Sequence, residues 1–236
     1  AIFVVLAVLY LVVGTLLLME LRRNPITRRA AGDPTVTIRS GLVRMAGLLA
    51  HPWVRIVVGT VFLEGMLMFG SIAFIPVHLQ QHFALGPAAA GAMVGAYAVG
   101  GVLYALSARR FVARLGERGL AAGGGLVLAA GYLSLAFAPV AWASVPGILL
   151  IGVGFYMLHN TLQVNATQMA PAARGSAVSL FALCLFGGQS VGVWLAGKVV
   201  DAYGTAPVFI AVSVGLALLG WGFRWRLKIQ ARSARA

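Results

Sequence analysis

Between Arg118 and Arg174 no side chain is Asp, Glu, Lys or Arg. A soluble domain carries about one charged residue in four, and a buried core helix is far shorter than this run. Apolar runs of such length satisfy their own backbone groups only as helices that cross a bilayer, and they are too long and too uniform for barrel strands. The chain as a whole agrees, at 61% hydrophobic and 10% charged. The feature predicts an all-α membrane protein with several spans. The net charge of +13 raises nucleic acid as a partner, but a membrane chain places Lys and Arg as topological signals, and that is the reading adopted. Cys184 is the one cysteine and lies in an apolar run, so a disulfide framework and a cysteine metal cluster are excluded.

Seven spans are predicted, at about 1–19, 53–79, 87–108, 119–138, 145–168, 175–198 and 206–223. Breakers separate them: Asn24-Pro25, Asp33-Pro34, Gly86-Pro87, Pro139, Pro146, Pro171 and Pro207. Pro76 is expected to kink the second span. The chain opens at Ala1 inside an apolar run with no initiator Met, and the expected reading is a piece of a longer protein. Every Lys and Arg except Lys198 falls on one side of this arrangement. The positive-inside rule makes that side cytoplasmic, so the protein is expected in the cell (inner, plasma) membrane, multi-pass, with its C-terminus inside. The five tryptophans lie near span ends, as interfacial anchors do.

Residues 20–52 form the one sizeable loop, basic and cytoplasmic on this reading. Within it Ile38, Leu42, Met45 and Leu49 share a helical face, which predicts a short helix lying on the membrane surface. Residues 53–224 then carry six spans, and 225–236 form a basic tail. Gly91-x-x-x-Gly95 and Gly188-x-x-x-Gly192 mark places where helix backbones approach closely.

Polar residues are scarce enough to be informative. Glu64 is the only charged side chain between Arg55 and Arg109. It stands about 16 Å past Trp53, near the midplane of a core about 30 Å thick. A carboxyl group at that depth is costly and faces a cavity or a partner, and it can carry a proton. No basic partner is visible at its depth. Tyr97 is comparably deep in the third span. In the fifth span Tyr156, His159, Asn160, Gln163 and Thr167 share one face. That stripe reads equally well as hydrogen bonding between helices or as the wall of a wet cavity. Gln189 lies in the outer half of the sixth span. His78 and His82 have a spacing that metal ligands use, but no acid or cysteine is near, so no metal and no other cofactor is expected. No hydrolase elbow, phosphate loop or zinc-type His/Glu pair is present, and the chain is not expected to be an enzyme.

Three stretches carry a family likeness. Gly101 to Arg118, ending Arg114-Leu-Gly116-Glu-Arg118, resembles the basic loop motif of the major facilitator superfamily in its second-half copy, with Ala113 where the motif usually has Asp. Gly152 to Gln163, followed by Ala170-Pro-Ala-Ala-Arg174-Gly-Ser-Ala177, is similar to the tenth helix and next loop of bacterial arabinose-efflux and drug/proton-antiporter permeases. Gly197 to Gly204 looks like the end of the eleventh helix. Such transporters have two six-helix halves that rock about a site at mid-membrane. The resemblance implies the last helix of the N-terminal half (1–19) and the six-helix C-terminal half, with the rest of the N-terminal half as the missing partner.

It further implies a secondary transporter, proton-coupled and exporting small organic molecules. Glu64 and His159 would be its proton-coupling residues. Tyr97, Tyr156, Asn160, Gln163 and Gln189 would line the cavity, and Arg114, Gly116 and Arg118 would form a loop that biases its conformation. Protons, a small-molecule substrate and the lipid bilayer are the partners implied, without nucleic acid. The alternatives are a seven-helix membrane receptor and a non-transporting membrane assembly module. A retinal protein needs a buried lysine, and the last span has none.

Overall fold

The computed structural model describes residues 2–24 and 37–233, and every regular element among them is helical. The breakers at Pro25 and Asp33-Pro34, the arginines at 28 and 29, and Arg235 lie outside the described residues. The chain forms two compact units, Ala1–Gly41 and Leu42–Ala236.

The first unit is built on α1, Ile2–Arg23. At 1.5 Å per residue it is about 33 Å long, enough to cross a bilayer core. Its apolar side chains, Phe3, Tyr10 and Leu16 among them, are exposed along its length, and Arg22 and Arg23 end its last turn.

Beyond it α2, Ile38–Leu48, occupies the predicted surface helix. Within the second unit its inward residues are Met45 and Leu48, which pack on Val54, Val58, Ala177 and Leu180. Leu42 and Leu49 are exposed, so the buried stripe is rotated from the one expected; the Ile38 side chain lies outside the described residues.

The second span is not one helix. It comprises α3 (Pro52–Glu64), a π-helical turn (Gly65–Phe69), α4 (Gly70–Ile72) and α5 (Ile75–Phe83). The expected break at Pro76 is present. Pro76 stands in the first turn of α5, where its missing N–H costs nothing, and the chain turns just before it at Ala73 and Phe74. The π turn was not foreseen. Next come α6 (Pro87–Val94) and α7 (Ala96–Ala136). Taken straight, the 50 residues Pro87–Ala136 would reach about 75 Å, more than twice a bilayer core. They are two crossings that meet at Gly116, whose φ of 59° and ψ of 178° are not helical. Then follow α8 (Ser144–Gln168), α9 (Arg174–Tyr203) and α10 (Thr205–Ser233). Seven crossing segments result, in the predicted order. The last is longer than expected, because α10 carries Arg224, Arg226, Lys228 and Arg232 on as helix.

Small residues set how these helices meet. A methyl group added to Gly188 would strike the Phe62 carbonyl, and one on Gly192 the Met66 carbonyl. Gly65 and Gly70 meet α9 in the same way, so α9 lies backbone to backbone along the π turn. The predicted Gly188/Gly192 pair is therefore a helix contact. Gly91 and Gly95 are not: nothing lies near a methyl on Gly91, and Gly95 meets only its own preceding turn at Ala92. In that span the close approach comes one to two turns later, at Gly100 against Gly152 of α8.

The interior is filled by Tyr132, Phe209, Leu128, Ile148, Leu158 and Leu216. Tyr132 donates its hydroxyl to the Met68 carbonyl at 3.1 Å, and Ser71 Oγ donates to the Leu67 carbonyl at 2.6 Å with the Met68 carbonyl 3.0 Å away. The break after the π turn is thus held by side chains where the helix ladder is interrupted. At the opposite end from the basic residues, His78 and Thr205 share a 2.6 Å hydrogen bond that ties α5 to the start of α10.

Candidate functional site

Glu64 is the last residue of α3 before the π turn, and it is 0% exposed. Its Oε2 and His159 Nδ1 of α8 share a 2.8 Å hydrogen bond. Among the described residues this is the one ion pair. The expectation that Glu64 lacks a basic partner at its depth is corrected: α8 runs close enough to α3 for the imidazole to reach inward. The other carboxyl oxygen, Oε1, is buried with no hydrogen-bond partner. An unsatisfied oxygen on a buried carboxyl costs free energy, and a group kept at that cost is a candidate for function.

His159 is the exposed end of this pair, its side chain 13% accessible where Glu64 is sealed. It rests on Phe155, ring centroids 4.7 Å apart and 19° between planes, and Phe181 of α9 leans on it at 5.5 Å. The stacked ring fixes the imidazole so that one nitrogen meets the acid. A hydrogen bond of this kind can hold its proton at either atom, and the imidazole keeps an accessible edge.

Phe155 also joins the other candidates. Phe69 of the π turn meets it edge-on at 5.3 Å, Tyr97 lies at 6.1 Å, and Tyr156 at 5.3 Å. Tyr97 and Tyr156 are 6.4 Å apart, and Tyr156 stacks on buried Tyr104 at 6.5 Å. Asn160, one residue past His159, lies beside the Tyr104 hydroxyl. Gln189 is half-buried on α9, its backbone beside Gly65 and so next to Glu64 in the chain. Gln163 is exposed, further along the α8 face. Glu64, His159, Tyr97, Tyr156 and Asn160 are therefore one connected cluster, Gln189 borders it, and Gln163 stands apart.

The sequence reading missed Phe69, Phe155, Phe181 and Tyr104. Phe155 had a signal, since it precedes His159 by four residues and shares its helix face. The others come from different spans and gave none. The loop-motif residues sit elsewhere, at the basic end. Arg114 and Arg118 are exposed, and Gly116 between them holds a conformation that a side chain disfavours. The His78 and His82 rings stack at 5.2 Å. No group of three or more His, Cys, Asp or Glu that could hold a metal ion occurs among the described residues.

The class the fold defines is a bundle of helices long and apolar enough to cross a membrane. Residues 1–193 match the family model described as Major Facilitator Superfamily, and the chain belongs to that superfamily. It is accordingly a multi-pass membrane protein. It is also similar to an uncharacterized MFS-type transporter of Burkholderia mallei (strain SAVP1), 36% identical over 89 residues that cover 37% of this chain and 22% of the relative. An uncharacterized MFS-type transporter of Burkholderia pseudomallei (strain K96243) matches over the same length at the same identity. The matched stretch is thus less than a quarter of those relatives' own length.

Proposed function

We propose that this chain is the C-terminal portion of a secondary active transporter that exports small organic molecules in exchange for protons. On this reading α1 is the last helix of one half and α3 to α10 are the six crossings of the other. The observation that carries the proposal is the Glu64–His159 pair, an acid sealed from water and joined to a partly accessible imidazole across two spans. A pair needed only for packing is replaceable by an amide without the cost of burying an ionisable group, whereas a proton carrier has to titrate.

The chemistry follows from the geometry. A proton taken up at Nε2 of His159 gives an imidazolium whose Nδ1–H donates to the Glu64 carboxylate, or the Nδ1 proton moves to Oε2 and leaves a neutral imidazole beside a neutral carboxyl. Tyr97, Tyr156 and Asn160, with Gln189 at the border, offer aromatic faces and hydrogen-bonding groups to a small organic substrate, and exposed Gln163 would meet it only further along the α8 face. The rocking of the two halves would expose pair and substrate to one side at a time. Transport as such also fits the superfamily and the MFS-type transporter names of the relatives.

The test starts from the protein expressed from its complete gene. Small organic compounds that raise its melting temperature are offered to inside-out vesicles. Accumulation that collapses when a protonophore dissipates the gradient supports the proposal. Movement at the same rate with and without the gradient would remove proton coupling from it.

A further inference from the structure

At the basic end, Arg118 of α7 and Arg224 and Lys228 of α10 surround one cavity of about 350 Å³, walled by Trp221 and Trp225. The four α10 residues stand at i, i+3, i+4 and i+7, one helical face. The chain reaches Arg118 two residues after Gly116, past Glu117, and the backbone turn at Gly116 starts the next crossing. All three cations are exposed, and like charges gathered round one cavity make a local positive potential that attracts an anion. No carboxylate among the described residues pairs with them, since the sole ion pair within 4.0 Å is Glu64–His159. Glu117 lines the adjoining cavity, which Arg118 also borders, with Leu227 and Ala231, and it is not among the residues around the Arg224–Lys228 cavity. The guanidinium of Arg224 lies over the face of Trp221, at 5.1 Å.

The flanking indoles say what kind of anion fits. Trp221 is 58% exposed and Trp225 57%, on the rim of a membrane-crossing helix. Indoles in that position sit at the headgroup level of a bilayer, where a phosphate and a glycerol backbone are the neighbours. We propose that Arg118, Arg224 and Lys228 form a binding site for the phosphate of an anionic phospholipid headgroup, with Trp221 and Trp225 packing against its glycerol region. The inference does not depend on proton coupling or on the substrate. Its consequence is structural: one lipid bridges the α7 turn at Gly116 to α10, so that the lipid steadies the segment between two crossings.

The experiment uses the protein from its complete gene, in detergent, titrated with phosphatidylglycerol and followed by native mass spectrometry. The wild type is expected to retain phosphatidylglycerol over phosphatidylcholine. Each cation removed should weaken that retention about fivefold, so the triple variant Arg118→Gln/Arg224→Gln/Lys228→Gln should need roughly a hundredfold more lipid. Arg109→Gln/Arg110→Gln, two arginines outside the cavity, should bind as the wild type does. Equal retention by the triple variant would overturn the site, and so would an equal loss in the Arg109/Arg110 control, which would mean diffuse surface charge. Inorganic phosphate at millimolar concentration should not displace the lipid. If it does, and protects the wild type against heating without lipid, a free phosphate site replaces the lipid one.

Discussion

At the scale of single residues the account turns on Glu64 and His159. Removing one partner of a buried pair leaves the other uncompensated, at a cost of about 3 kcal/mol or more. His159→Ala should therefore lower the melting temperature clearly, and Glu64→Gln placed on top should restore most of the loss, because an amide needs no counter-charge. The measurement is a double-mutant cycle by thermal unfolding in detergent; additive losses would mean that the two side chains do not interact. Of the candidate cluster, Glu64, Tyr97, Tyr156, His159 and Asn160 could be named from the sequence because polar groups are rare at that depth, whereas Gln163 and Thr167 of the same α8 stripe are exposed and lie apart from it. The pairing itself was not legible in the sequence. Glu64 and His159 are 95 residues apart in sequence, and no periodicity within a span tells which face of one helix meets which face of another. Phe69, Phe155 and Phe181 were invisible for a related reason: in an oily span a phenylalanine is the unremarkable choice, and only the contact makes it a platform for His159.

At the scale of elements, glycines decide where helices touch and where they turn. Gly188→Ala would drive a methyl into the backbone of α3 and should cut membrane abundance severalfold, whereas Gly91→Ala meets open space and should be neutral in the same expression assay. Both positions belong to the same sequence motif, and the sequence treats them alike. They differ because a small-residue spacing permits close approach without saying that a partner is there. At Gly116 space is not the constraint, for nothing lies within 4 Å of an added methyl. The backbone is, since φ of 59° with ψ of 178° costs a non-glycine residue about 1–3 kcal/mol. Gly116→Val should leave abundance intact and slow transport by the protein from its complete gene; unchanged transport would reduce the segment to a plain connector. The π turn after Glu64 was beyond sequence reasoning. It is one extra residue in a helix, held by Tyr132 from another span, and its local sequence Gly65-Met-Leu-Met-Phe69 reads as ordinary helix.

For the whole molecule, the crossings and their order were legible because hydropathy and charge act along the chain, one span at a time. The ends were less so: α5, α9 and α10 outrun their apolar cores, since a helix continues past the bilayer wherever its backbone bonds can. Alternation places Arg114 at the basic end and Gln81 and Asp201 at the other. With Cys184 replaced, single cysteines at 81 and 201 should react with an impermeant reagent in intact cells and one at 114 should not; the reverse pattern would invert the protein in the membrane. The account as a whole rests on a proton moving through Glu64. Its most direct test is transport in vesicles by the protein from its complete gene, wild type beside Glu64→Gln, measured once as accumulation driven by a pH gradient and once as exchange with no gradient. Glu64→Gln keeps the shape and the hydrogen bond to His159 but cannot titrate, so accumulation should vanish while exchange continues; accumulation at the wild-type rate would contradict the account.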